Sequence, residues 1–196
     1  MTLLGMIRHG RTAWNGDGRL TGRTDIPLTE AGRQALTGLR PPAELADAVW
    51  HVSPLRRARE TAAILGGPAD AVDERLIEMN FGSYEGRRLL DLRDELGPEM
   101  TENEDRGLDF LPPGGESPRM VQQRLRPFLA EIGGRGGRHI AVAHKAVIRA
   151  VFAAAYDWPM LGKPPVKLHW EHAHLFTVDG DGAVRPHAMN TPLVAA

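Results

Sequence analysis

The chain has 196 residues, 42% of them hydrophobic and 25% charged, with a formal net charge of −1; this suits one globular domain with a real core, and the near-zero charge gives no reason to expect a nucleic-acid partner. No cysteine is present, which excludes disulfides, thiolate nucleophiles and thiolate-bound metal. The first apolar run is cut by Arg8, too early for a signal peptide, and no apolar stretch reaches the length of a membrane span, so a cytoplasmic enzyme or binding protein is expected.

Leu3–Ile7 is a short apolar run ended by a charge and predicts a buried strand. Arg8 and His9 follow where that strand emerges, and Gly10 lets the backbone turn sharply and approach a ligand. Ligands in open α/β sheets sit outside the carboxyl ends of strands. A guanidinium and an imidazole therefore stand where a substrate would be held; the competing reading is two ordinary polar residues at a strand end. A glycine-rich loop leads to Thr29, which predicts an N-cap for a helix to about Leu39, stopped by Pro41-Pro42. Ala48–Val52 predicts a second buried strand. Ser53-Pro54 supplies an N-cap serine and a first-turn proline for a helix closed by Gly66-Gly67, with Arg56 and Arg57 in its first turn. Helix N-termini attract anions; the alternative is that one of the two arginines is simply solvated.

Ala71–Ile77 predicts a third strand, ending at Glu78. Gly82, Tyr84 and Gly86 predict a loop, and Arg87–Leu96 a helix closed by Gly97. Residues 98–115 are acidic, proline-containing and irregular, which suits a lid or binding loop, so a lid or substrate segment is placed at about 80–117. Ser117-Pro118 repeats the cap grammar and starts a helix to about Ile132, with Val121, Leu125, Phe128, Leu129 and Ile132 on its core face and a kink at Pro127. Gly133–Gly137 reads as a turn. Arg138–Ala143 is a buried strand that delivers His144 and Lys145, and Ala146–Tyr156 is the helix after it. Glu171–Val178 and Ala183–Met189 predict a hairpin. Strands alternating with helices, with no repeat and no linker, predict a single α/β domain over 1–196 with a mostly parallel sheet.

His9 and His144 end two strands 135 residues apart, and Arg57 and Glu78 follow two others. If those strands are neighbours, two imidazoles, two guanidiniums, a carboxylic acid and a helix N-terminus meet at one sheet edge. The set suits phosphoryl transfer. Arginines and backbone N–H groups hold non-bridging oxygens and spread their charge in the transition state. A neutral imidazole can attack phosphorus and split one difficult step into two. A carboxylic acid can protonate the leaving alkoxide and later activate water.

The blocks RHGRTAWN, GRLTGRTDIPLTEAG, SPLRRARETA, RLIEMNFGSYEG, PGGES and VAHKAVIRA follow one another along the chain. In these blocks it resembles the histidine phosphatase superfamily, of phosphoglycerate-mutase-like fold, over most of its length. The resemblance implies a three-layer α/β/α sandwich with a mostly parallel mixed sheet. It makes His9 the nucleophile, sets Arg8, Arg57 and His144 on the phosphoryl group with Asn15 assisting, makes Glu78 the proton donor, and places Thr21 and Gly22 in a loop over the substrate. Two positions depart from the family pattern. Arg11 stands where an acidic or other polar residue usually follows RHG, and Lys145 stands where glycine usually follows the second histidine. Both add charge near the pocket, and Lys145 is counted with the substrate-binding residues. The implied activity is that of a histidine acid-type phosphatase: hydrolysis of a small-molecule phosphate ester through a phosphohistidine, without metal or cofactor. A mutase using the same intermediate is the alternative; the short chain after the acid-bearing loop and the PGGES block favour the phosphatase. A non-catalytic phospholigand-binding module is the third reading, against which His9 and Glu78 both stand. Neither a nucleic-acid nor a membrane partner is expected, and the sequence names neither the substrate nor the oligomeric state.

His172 and His174 alternate on one predicted strand beside Glu171. They read either as a metal-binding pair or, with no third ligand at suitable spacing, as a strand end near the pocket. His51, His139, His169 and His187 read as structural. Phe81, Tyr84, Leu108 and Phe110 suit a substrate wall and core packing equally.

Overall fold

The computed structural model describes residues 2–68 and 71–196. In chain order its elements are β1 (Thr2–Arg8), α1 (Ala13–Gly16), α2 (Glu30–Gln34), β2 (Leu39–Arg40), β3 (Val49–Val52), α3 (Arg56–Ile64), α4 (Leu89–Leu96), α5 (Pro98–Glu104), α6 (Pro118–Arg135), β4 (Gly137–Ala143), α7 (Lys145–Ala155), β5 (Ala173–Val178), β6 (Val184–Thr191) and β7 (Val194–Ala195). Five strands form one mixed sheet in the order β3-β4-β1-β5-β6. β3, β4 and β1 run parallel, while β5 opposes both β1 and β6. β2 and β7 pair separately. No helix among the described residues is long and apolar enough to cross a membrane.

Alternation along the strands builds the layers. Leu4 and Met6 of β1, Ala141 and Ala143 of β4, and Phe176 and Val178 of β5 join one apolar cluster with α6 and α7. Ile7, Ile140, Val142, Ala173 and Leu175, on the opposite face, join Ala58 and Ala62 of α3. α6 turns Val121, Leu125, Phe128, Leu129 and Ile132 inward, the spacing of one helical stripe. Pro127 points away from that stripe and is exposed, so the carbonyl it leaves unpaired can be met by water.

The register sets the strand ends level. Arg8 lies opposite Ala143 and Val52 opposite Val142. The His9 amide donates to Ala143 O at 3.0 Å and the Ser53 amide to Val142 O at 3.0 Å. His9, Ser53 and His144 thus leave three adjacent parallel strands at one edge.

Several local expectations shift. α2 ends at Gln34, short of Leu39. α3 begins at Arg56 after Leu55 rather than at Pro54; the Ser53 hydroxyl accepts the Leu55 amide at 3.4 Å and lies 2.6 Å from His144 Nε2. Residues 71–77 form no strand: Val72 makes one isolated bridge to Val52, and Asp73 then turns the chain into a 3-10 turn by accepting the Arg75 amide at 2.9 Å. Glu78 therefore follows a turn. Residues 98–115 contain α5 and a second 3-10 turn at Gly107–Asp109, with Pro98 at the favoured first position of α5. α6 runs through Gly133 to Arg135. Gly133 serves close approach, not termination: a Cβ there would stand 2.0 Å from Asp179 O.

Candidate active site

The shared strand edge opens into a cleft of about 1110 Å³. Arg8, His9, Arg11, Asn15, Thr21, Glu78 and Lys145 line it. Arg57 and His144 stand behind this lining, both fully buried, with the His144 ring centroid 5.1 Å from that of His9. Gly22 also lies outside the lining. Its carbonyl accepts from Arg57 Nη2 at 2.7 Å, and Thr24 O accepts from Nη1 at 2.9 Å. Arg56 turns outward to Glu60 at 2.6 Å, so only one of the two arginines faces the site. Asn15 accepts the Thr12 amide through Oδ1 at 3.2 Å, which leaves its NH2 group for the cleft.

His9 is held by its own loop. Nδ1 lies 2.7 Å from Gly10 O. A carbonyl can only accept, so Nδ1 carries the proton and Nε2 keeps its lone pair. The turn is pinned by the Gly10 amide donating to Thr61 Oγ1 at 2.9 Å, whose hydroxyl donates to Arg57 O at 2.7 Å. Burial, assisted by the Arg8 and Arg57 charges, holds the His9 imidazole well below its ordinary 6.5. Burial does the same to His144, with His9 and Arg57 adding to it.

Glu78 moves the other way. Burial pushes its carboxyl above 4.5, against the pull of the Met79 amide and Arg57. Oε1 accepts from the Met79 amide at 2.9 Å and Oε2 from the Ala146 amide at 3.4 Å, in the first turn of α7. Burial thus favours the neutral form of the His9 imidazole and the protonated form of the Glu78 carboxyl, the division of labour that a nucleophile and an acid require.

Three buried donors around these groups find no partner among the described residues: Arg8 Nε, Arg57 Nε and His144 Nδ1. Both arginine nitrogens are N–H groups, and in His144 the proton belongs on Nδ1 if Ser53 Oγ donates to Nε2. A buried, unsatisfied polar group costs about 1–3 kcal/mol. An anion with several acceptor oxygens answers all three at once.

The loops that carry these groups are braced by residues to which sequence reasoning gave no role. Glu85 accepts the Arg23 amide at 2.8 Å and the Thr24 amide at 3.1 Å, and also the Phe81 amide at 3.3 Å. It thereby ties the loop that holds Arg57 to the loop that carries Glu78. Glu116 accepts the Asn80 amide at 3.0 Å and pairs with Arg23 and Arg124 at 3.1 Å each. Arg124 in turn donates to Arg75 O and Ile77 O. Glu85 and Glu116 fall inside the quoted blocks, so their presence was visible though their function was not. Arg124 had no signal, being one polar position on a helix. Trp170 was also missed: Arg8 lies 5.7 Å and Lys145 5.5 Å from its ring centroid.

His172 and His174 do not enter this constellation. The Asn190 amide approaches His174 Nδ1 at 3.3 Å, and no cluster of three or more metal-ligating residues occurs among the described residues.

The histidine phosphatase superfamily (branch 1) matches residues 4–186. A 2,3-bisphosphoglycerate-dependent phosphoglycerate mutase 2 from Gloeobacter violaceus is 36% identical over 165 residues, 77% of this chain and 74% of that one. A glucosyl-3-phosphoglycerate phosphatase from Mycobacterium tuberculosis is 34% identical over 177 residues, covering 80% and 78%. The solved structure of a mycobacterial glucosyl-3-phosphoglycerate phosphatase in complex with VO3 superposes with a TM-score of 0.76 at 26% identity, covering 96% of this chain and 98% of that one.

Proposed function

Because the chain belongs to the histidine phosphatase superfamily, and its relatives include both phosphatases and mutases, we propose that it is an acid-type phosphomonoesterase that hydrolyses a small phosphorylated metabolite through a phosphohistidine on His9. The observation that carries this reading is the neutral His9 beside three buried donors without partners, Arg8 Nε, Arg57 Nε and His144 Nδ1. In the reaction, Nε2 of His9 attacks phosphorus as the bond to the ester oxygen breaks. Glu78 gives its proton to the departing alkoxide. Arg8, Arg57 and His144 take up the charge on the non-bridging oxygens, with the Asn15 NH2 group beside them. Water then attacks the phosphohistidine, its proton goes to the Glu78 carboxylate, and the P–N bond breaks. Thr21 and residues 80–117 form the wall against which the alcohol half of the substrate lies.

The test is direct. Enzyme mixed with a phosphate monoester labelled on phosphorus and quenched in alkali should retain protein-bound label that acid releases, as a phosphoramidate requires. His9→Ala should retain none. Label that survives acid, or that persists in His9→Ala, overturns the covalent step. The mutase reading is favoured by the 36% identical relative; it needs a second hydroxyl in place of water. Interconversion of 3- and 2-phosphoglycerate faster than phosphate release would decide for it.

A further inference from the structure

The cleft is larger than a phosphoryl group needs, and its cations are of two kinds. Arg19 and Arg93 line it but pair with Asp17 and Glu104. Arg8, Arg11, Lys145 and Arg149 line it and pair with no carboxylate within 4.0 Å among the described residues; Arg8 belongs to the phosphoryl site, and of the other three only Lys145 and Arg149 share an element, α7. Glu171 lines the same cleft yet joins neither. Lys145 lies over the Trp170 ring, and Arg149 over the Trp158 ring at 5.2 Å.

These two positions are electrostatically costly. Lys145 is the first residue of α7, where the helix dipole disfavours a cation. Arg149 sits one turn further on, and like charges four residues apart weaken a helix. Burial lowers the pKa of both side chains, Arg8 and Arg149 adding to the effect on Lys145. Their place in the fold also gives them a direction. Ala146, next to Lys145 on α7, donates its amide to Oε2 of Glu78, and the Glu78 charge acts on Lys145, so Lys145 stands beside the acid and Arg149 one helical turn beyond it. The side of the cleft that holds the proton donor is the side from which the alcohol departs.

We propose that Lys145 and Arg149, with the Trp170 ring as floor, form a second anion subsite on the leaving-group side, so that the substrate is a phosphomonoester whose alcohol half carries a further anionic group, a carboxylate or a second phosphate. This rests on the phosphatase reading only for which half of the substrate lies there. The two cations are about 6 Å apart along the helix axis, so the subsite spans one small anionic group.

Three meta-substituted benzylphosphonates carrying a carboxamide, a carboxylate or a second phosphonate test it by calorimetry, without turnover. Wild type should bind one of the anionic probes at least about tenfold more tightly than the carboxamide, and the better of the two identifies the group. Lys145→Met and Arg149→Met should each bring that ratio towards one, and Lys145→Glu should take it below one. Any effect of these substitutions on all three probes alike cancels in the ratio. A wild-type ratio near one, or a ratio that none of the variants moves, overturns the subsite. The corresponding three aryl phosphates, assayed for phosphate release, separate the two readings. If none is hydrolysed while the binding ratio stands, the phosphatase assignment fails and the subsite does not.

Discussion

At the residue scale, His9 and Glu78 have been moved in opposite directions by the same burial, and the pH profile should record it. The proposed reaction needs His9 neutral, with Nε2 free, and Glu78 protonated. His9 lies well below 6.5 and Glu78 above 4.5, so kcat/KM should fall on the acid side as His9 gains a proton and on the alkaline side as Glu78 loses one. Glu78→Gln should abolish the alkaline limb. It should also slow an alkyl phosphate about 10²–10⁴-fold while slowing p-nitrophenyl phosphate far less, because a nitrophenolate hardly needs the proton. Equal losses on both substrates would remove Glu78 from the donor role. The residues that gather at the shared strand edge were legible because each belongs to a block with its own local logic: RHG at a strand end, SPLRRA entering a helix. Ser53 was legible only in part. Its hydroxyl does accept a local amide, that of Leu55 at 3.4 Å, but nothing local reveals that a histidine 91 residues later also bonds it.

At the element scale, the site is two loops tied together by carboxylates. Glu85 spans from the Phe81 amide to the Arg23 and Thr24 amides, so Glu85→Ala leaves three amides seeking partners and loosens both the Arg57 cradle and the Glu78 loop. A loss of about tenfold or more in kcat/KM is expected, with little change in far-UV circular dichroism. Gly22→Ala should be worse for the loop: its φ is +55°, a region that side chains rarely adopt, and its Cβ would stand 1.9 Å from Glu85 Oε1. A Gly22→Ala enzyme with wild-type kinetics would show that this clamp does not position the site. Long elements with a clear period, β1, β4, α6 and α7, lie close to where their sequences put them. Short ones do not. α2 and the segment before Glu78 are decided by single side chains, such as Asp73 capping its own turn, and no periodicity carries that information. The helix within 98–104 was hidden by its acidity and by Pro98, which reads as a breaker until it is seen to be the first residue.

At the scale of the whole molecule, stability as well as catalysis responds to acid. His51 and His139 form a buried pair, Nε2 to Nδ1 at 3.0 Å, between neighbouring strands. Burial, with His139 adding to it, lowers His51 to about 4, and burial lowers His174 to about 4 as well. Between pH 6.5 and 4 the unfolded chain binds protons that the folded one refuses, so stability falls as pH falls through that window, by on the order of 3 kcal/mol for a shift of this size. The melting temperature should drop steadily from pH 6.5 to 4, and His51→Gln should flatten the slope; a slope unchanged by that substitution would acquit the pair. The buried strands of a mostly parallel sheet could be anticipated from their apolar runs, whereas the strand order and the pairing of two distant histidines could not. One further feature bears on the lineage rather than the molecule. Residues 80–117, the proposed substrate wall, have a small core of their own, Tyr84, Leu92 and Met100, which among the described residues shares only Phe81 and Phe110 with the main one. Substitutions that reshape this segment therefore need not disturb the packing beneath His9, Arg57 and His144. Inheritance can then revise the choice of substrate while leaving the reaction alone, and deep mutational scanning should find the two sets of positions failing under separate selections.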